Sequence, residues 1–181
     1  MAAMKLPMTV RRALPEDAEA VAQLAAKAFH DAFAEDNNPD DMEAYMREAF
    51  TTEKILCEIE DPKSIYLLAI DGDAIGELPL GYAKINDGGP KESVPSSDPI
   101  EICRIYARPD LIGRGVGAAL MQACLDEAQR LQRDTLWLGV WEHNTRAVRF
   151  YERWGFRVVG EHSFILGNDH QTDMVMALSI A

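Results

Sequence analysis

Residues 99–131 read PIEICRIYARPDLIGRGVGAALMQACLDEAQRL, and this stretch limits the fold more than any other part of the chain. An apolar, β-branched run at 100–107 stops at a Pro109-Asp110 turn, and three alternating glycines, Gly113, Gly115 and Gly117, run straight into helical periodicity. The pattern is a strand, a loop and a helix. The Val116, Leu120, Cys124 stripe gives the helix a face to bury. The glycines let successive backbone N–H groups turn into one concavity at its start. Such a turn suits a phosphate or pyrophosphate, because the helix dipole adds positive potential there and Arg114 lies beside it. On the loop alone the alternative is a tight turn whose glycines serve close strand–helix packing. Neither G-x-x-x-x-G-K-[ST] nor G-x-G-x-x-G with a later acidic residue is present, so the usual supports for nucleotide hydrolysis and hydride transfer are missing.

The rest of the chain alternates around this unit. A short strand at 8–12 precedes a helix announced by Leu14-Pro15-Glu16-Asp17, with Ala18, Val21, Leu24, Ala25, Ala28 and Phe29 at helical spacing up to about Phe33. An acidic segment containing Asp31, Glu35 and Asp36 leads through Asn37-Asn38-Pro39 to a second helix at 40–50, and a third follows at 52–60. These acids read either as a solvated helix end or as a carboxylate-lined lip over a substrate groove. Strands are expected at 64–70 and, after an Asp71-Gly72-Asp73 turn, at 74–86, with a bulge at 76–79. A Gly-, Pro- and Ser-rich loop covers 87–98. Beyond the central helix come a strand at 134–141, apolar on both faces as a parallel interior strand is, and a helix at 145–154 capped by Asn144 and stopped by Gly155. Strand-like pieces at 156–160 and 164–166, a Gly167-Asn168-Asp169 turn and a last strand at 172–180 complete the chain. The order gives an α/β fold. Its mostly antiparallel mixed sheet has about seven strands and a splayed central parallel pair, flanked by about five helices in one domain over residues 8–181 behind a tail at 1–7.

A chain of 181 residues suits one core. A net charge of −12 argues against nucleic-acid binding, which needs a basic face, and is compatible with a cationic substrate. Three cysteines without C-x-x-C spacing indicate neither a disulfide framework nor zinc, and no carboxylate stands at metal spacing to a histidine, so no metal is assigned. Without a signal core or a long apolar run, a cytoplasmic protein without membrane association is expected.

Two signatures carry a family resemblance. Ile112-Gly113-Arg114-Gly115-Val116-Gly117 resembles the Q/R-x-x-G-x-G/A loop of the GNAT superfamily of acyl-CoA-dependent N-acetyltransferases, with Ile112 in place of the usual Gln or Arg. Asn144 to Phe156 resembles the N-x-x-A-x-x-F-Y-x-x-x-G-F signature of the same superfamily. The runs LWLGVWEHNTRAVRFYERWGF, GEHSFILGNDHQTDMVMAL and HDAFAEDNNPDDMEAYMREAF look like the bacterial spermidine/spermine N-acetyltransferases. The resemblance implies acetyl-CoA as co-substrate, held by Ile105, Tyr106 and Ala107 on the strand, by Ile112, Gly113, Arg114, Gly115, Val116 and Gly117 in the loop, and by Asn144, Ala147 and Tyr151 beyond it. It implies direct transfer to a small-molecule primary amine in a ternary complex, with a polyamine favoured, and it admits a homodimer. The Ile105 N–H would face the thioester oxygen, where charge grows during attack.

Glu101 is the one carboxylate on an otherwise apolar strand, at the offset from Gly115 where some family members carry their base. It is taken as the catalytic base acting through water, with an ion pair to Arg104 as the structural alternative. Tyr151 is taken as the acid that protonates the departing thiolate. Asp31, Glu35, Asp36 and Glu101 are the expected amine-binding carboxylates. His143, His162 and Cys103 read as structural, Cys103 as a small buried thiol. The competing readings are a protein-lysine, N-terminal amine or amino-sugar acetyltransferase, and a silent acyl-CoA-binding module.

Overall fold

In a computed structural model, which describes residues 8–72, 77–89, 91–166 and 169–180, the expected order of elements is found with shifted ends. The tail at 1–7, the Asp73 end of the first turn, residues 74–76 and the Gly167-Asn168 turn lie outside the described residues. Strand β1 (Thr9–Arg12) is followed by helices α1 (Ala18–Phe33), α2 (Pro39–Ala49) and α3 (Thr52–Glu60). Strands β2 (Ser64–Ile70), β3 (Gly81–Asn86) and β4 (Pro99–Ala107) precede α4 (Val116–Arg130). The chain ends with β5 (Thr135–Trp141), α5 (Thr145–Arg153), β6 (Arg157–Leu166) and β7 (Asp169–Ser179).

The α2 start lies at Pro39, one residue earlier than the sequence suggests. The Asn38 side chain accepts from the Asp40 amide at 2.8 Å, and proline at the first helical position costs no hydrogen bond. Among the described residues the returning strand begins at Gly81, Pro79 having no N–H to give a ladder, and residues 74–76, with the start of the bulge expected at 76–79, lie outside them. The two pieces expected near the C-terminus form one strand, β6. Its polar His162 and Ser163 fall within an edge strand of the sheet, where polar alternation is tolerated.

The seven strands lie in the order β1-β2-β3-β4-β5-β7-β6, and only β4 and β5 run parallel. One face is covered by α4, whose Val116, Leu120, Met121 and Cys124 pack on Ile100, Ile102, Leu136 and Leu138. The other carries α1 and α3, with Val21, Leu24 and Ile55 against Leu68 and Tyr82. Burying a side chain of this size contributes on the order of 1.5–3 kcal/mol. These two layers hold the centre of the sheet rigid.

Two irregularities shape that centre. Lys84 pairs with Arg104 and Ile85 with Ile102, so Cys103 is the extra residue of a bulge in β4. Parallel pairing runs from Pro99–Thr135 to Ile102–Leu138 and stops, although β4 continues to Ala107 and β5 to Trp141. Past Ile102, β4 pairs with β3 alone, and its edge toward β5 has no strand partner.

Candidate active site

A cleft of about 420 Å³ fills the gap between the parted strands. Residues 102–107 form one side, and Gly139, Val140 and Trp141 the other. Asn144, Ala147 and Tyr151 close it from α5, and α1 closes it from the opposite face of the sheet.

At the α4 end the loop opens through a short helical turn, Pro109–Leu111, and reaches the helix through two left-handed glycines, Gly113 (φ 82°) and Gly115 (φ 92°). Gly115 occupies the cap position, so no side chain caps α4, and the first amides of the helix have no partner within it. Nothing lies within 4 Å of the space a Cβ at Gly113 or Gly115 would fill. The concavity is open, lined by backbone donors and rimmed by exposed Arg114. Gly117 lies against the Phe150 ring, while the Val116 side chain is in the core and leaves only its backbone to the loop. Ile112 is exposed and lines the cleft.

Ile105, Tyr106 and Ala107 line the cleft along the unpaired part of β4. The Asn144 side-chain oxygen accepts from the Ala147 amide at 3.2 Å, capping α5 and bringing Asn144 and Ala147 to the same wall. Tyr151 is buried on α5, and burial pushes its phenol far above the ordinary value, so the hydroxyl remains protonated at neutral pH. Of the loop only Pro109 and Ile112 reach the cleft lining; Gly113, Arg114, Gly115, Val116 and Gly117 lie outside it, at the start of α4.

The expected carboxylates separate. Asp31 reaches the cleft, but Lys27 Nζ stands 2.8 Å away and holds its carboxyl below the usual range. Glu35 and Asp36 lie on an exposed turn, Ala34–Asp36, and do not reach the lining. Glu101 is half-buried, does not line the cleft, and accepts from the Cys103 thiol; burial raises its pKa. Arg104 does not pair with it. Its guanidinium is 3.0 Å from Glu58 and 2.9 Å from the Tyr66 hydroxyl, with Lys84 3.0 Å from the same Glu58. The Cys103 thiol is pushed up to about 12, first by burial and then by Glu101, which leaves it a poor nucleophile.

The far end of the cleft contains groups that the sequence reading left out. Phe33 meets Trp141 edge-on at 6.1 Å between centroids, and Tyr45 meets Phe164 at 5.7 Å, making an aromatic wall. Asp173 on β7 lines the same space and is the cross-strand neighbour of both Trp141 on β5 and His162 on β6. Its carboxyl is pushed up to about 6 by burial. The signal was parity: Asp173 shares a face with Val175 and Ala177, which are buried, so an acid there is out of keeping with its own strand. Among the described residues no group of three or more His, Cys, Asp or Glu stands close enough to hold a metal ion, and no helix is long and apolar enough to cross a membrane.

Residues 22–156 match the acetyltransferase (GNAT) family. The uncharacterised N-acetyltransferase of the pepI 3′ region of Lactobacillus delbrueckii subsp. lactis is 34% identical over 177 residues, 97% of each chain. In structure the chain is similar to the PaiA N-acetyltransferase of Thermoplasma acidophilum in complex with coenzyme A, with a TM-score of 0.73 and 19% identity over 95% of this chain and 98% of that one. It is also similar to YncA of Salmonella typhimurium with its cofactor acetyl-CoA, with a TM-score of 0.69 and 20% identity over 97% and 95%.

Proposed function

The chain belongs to the acetyltransferase (GNAT) family, as an acetyl-CoA-dependent N-acetyltransferase, and on that footing we propose that it transfers acetyl directly to a primary amine held in the cleft, a polyamine being the favoured acceptor. One observation carries this reading: the bare edge of β4 beyond Ile102 lines one cleft with the buried Tyr151, and the chain runs from that edge into the open, uncapped start of α4. The residues present suit the acyl donor. Gly113, Gly115, Val116 and Gly117 offer amides and a dipole to a pyrophosphate, the Arg114 amide being held by the Leu111 carbonyl, and Ile105, Tyr106 and Ala107 offer a strand edge without a β5 partner to an amide-bearing arm. Bound there, acetyl-CoA supplies an activated carbonyl.

The protein's own groups then position and move protons. The Ile105 N–H is assigned to the carbonyl oxygen, where a fixed dipole stabilises growing negative charge. Tyr151, kept protonated by burial, gives its proton to the departing sulfur. Glu101 is assigned an indirect share, through Cys103 or a water, because its carboxyl stops short of the cleft. The preference for a polyamine rests on Asp173 standing without a lysine or arginine partner beside the Phe33–Trp141 surface, with Asp31, shared with Lys27, on another wall. Ammonium groups suit the carboxylates, and methylene chains suit the rings.

The test is release of free CoA from acetyl-CoA with a panel of spermidine, butylamine, phenethylamine, glucosamine, L-lysine and an alanine-initiated peptide. Spermidine is expected to turn over fastest. Acetyl-CoA binding without release across the panel would replace the enzyme with a binding module, and faster turnover of the peptide or the sugar would move the acceptor class.

A further inference from the structure

We propose that Asp173, rather than any acid of the early helices or of β4, is the group that meets the acceptor's amine and takes its proton. This deepens the amine-acetyltransferase reading and rests on it.

The first observation is position. Gly139 is the first β5 residue beyond the last parallel pair, Ile102–Leu138, so it marks the point where the strands part. A Cβ on Gly139 would come 2.6 Å from His162 Cε1 and 3.4 Å from Asp173 Oδ2. The carboxylate and the imidazole therefore lie directly over the opening of the splay. A side chain at 139 would fill the place they occupy. Glycine inside a strand costs roughly 0.5–1 kcal/mol relative to alanine, and close approach of another group is a recurrent reason for it.

The second observation is the lack of a counter-charge. The Asp173 side chain is only 14% exposed, and its nearest basic group is His162 Nε2 at 3.9 Å, too far for a hydrogen bond. His162 is itself held below its ordinary pKa by burial and by Lys91, so it is neutral at pH 7, and its Nδ1 is buried without a hydrogen-bond partner. The other titratable groups facing the carboxylate are phenols, Tyr45 on α2 and Tyr106 on β4, both made weaker acids by burial. Among the described residues no lysine or arginine ion-pairs with Asp173. Of the other charged groups on the cleft walls, Asp31 is taken by Lys27 and Arg104 by Glu58, and the exposed Arg146 in the first turn of α5 makes no ion pair with Asp173. A buried carboxylate without a cation calls for one from outside, and a substrate ammonium meets that need.

The third observation is chemical matching. With a pKa near 6, Asp173 is ionised at neutral pH and still accepts a proton readily, as a general base should. The Asp173 carboxylate takes one proton from the ammonium and passes it to water, which leaves the free amine beside an ionised carboxylate again. The nitrogen lone pair then forms the N–C bond to the acetyl carbon, the C–S bond breaks with its electron pair on sulfur, and sulfur takes the Tyr151 proton. The second nitrogen proton goes to the Asp173 carboxylate and from there to water. Tyr151 is reprotonated from solvent, so the overall reaction releases one proton.

The test uses the full chain and whichever amine of the panel the parent acetylates fastest. Asp173→Asn keeps shape and size, and should bind acetyl-CoA within twofold of the parent while losing about 10²- to 10⁴-fold in amine kcat/KM. The parent profile should rise with pH through about 6, and Asp173→Asn should lack that limb. Asp173→Glu keeps the charge on a longer arm, and should retain the limb with at least a tenfold loss. An Asp173→Asn protein within threefold of the parent, or one that keeps the limb, overturns the assignment and leaves the acetyltransferase reading standing. A parent that releases no CoA with any amine overturns both.

Discussion

The start of α4, proposed for the acyl donor, presents backbone amides around Gly113, Gly115 and Gly117, whereas the β7 end of the cleft, proposed for the acceptor, presents side chains gathered from α1, β5, β6 and β7. The first end is local: five consecutive residues make the concavity, and any substrate built on the same donor meets the same amides. The second end is assembled from residues 31, 141, 164 and 173, with His162 beside Asp173, which only the sheet order brings together. On the proposed assignment the acyl donor's end is written in the chain as a motif, and the acceptor's end exists only in the fold. Each end should fail separately when mutated.

The largest effect is expected at the local end. Gly115→Asp puts a β-carbon on a left-handed φ of 92° and an anion where the proposed cradle would hold a pyrophosphate, so acetyl-CoA affinity should fall at least a hundredfold by calorimetry. The fold should survive, because Val116, Leu120 and Cys124 still bury the α4 face, although the strained cap should lower Tm by a few degrees. A folded variant that binds acetyl-CoA like the parent would place the cradle elsewhere and remove the contrast between the ends.

Next comes the point where the ends meet. Tyr151→Phe should cost about 10² in kcat at pH 7 with saturating acetyl-CoA, shrinking as pH passes the ordinary thiol pKa of ~8.5, above which a thiolate leaves without help. Tyr151 is buried against the core, so KM for acetyl-CoA is measured in parallel. A loss constant from pH 7 to 9 would make the tyrosine a packing residue alone.

The legibility of the chain follows the same division. Strand β4, the glycine loop, α4 and the Asn144-capped α5 were readable because apolar period, turn chemistry and caps all lie within a few residues of what they control. The splay was legible as topology, a helix between two parallel strands. The Cys103 bulge was not, because it depends on how β4 registers with β3 across a long connection. Asp173 was passed over for a similar reason. Its parity with Val175 and Ala177 marks the face it shares, but only pairing with Trp141 and His162 shows that this part of the face opens on the cleft. Asp31, Glu35 and Asp36 looked alike as a charge run, yet one lines the cleft tied to a lysine and two face solvent.

A smaller effect should appear in stability rather than rate. Burial raises the folded pKa of Asp173 to about 6, above the unfolded value near ~3.9, so the native state holds the extra proton between those values. Its contribution to stability is complete below about pH 4 and is lost as pH rises through about 6. Asp173→Asn removes that loss. Its Tm should exceed the parent's by about 2–6 °C at pH 8 and by less at pH 5. An equal gain at both pH values would show that the carboxylate is not poised.

The smallest effect is expected of Glu101→Gln. Glu101 accepts from Cys103 and its carboxyl stops short of the cleft, so the isosteric amide keeps the packing, and the rate loss should stay under about tenfold. The outcome separates two geometries for the proton step. If the amine gives its proton to Asp173, the Glu101→Gln profile keeps the rise through about pH 6, because the titrating group is untouched. If the proton instead travels through water to Glu101, the loss should be a hundredfold or more near pH 7, and it should shrink as pH approaches the amine's own pKa of ~10.4, where free amine appears unaided. That second pattern, together with an Asp173→Asn variant of near-parental rate, would return the base to β4 and make the acceptor end as local as the donor end.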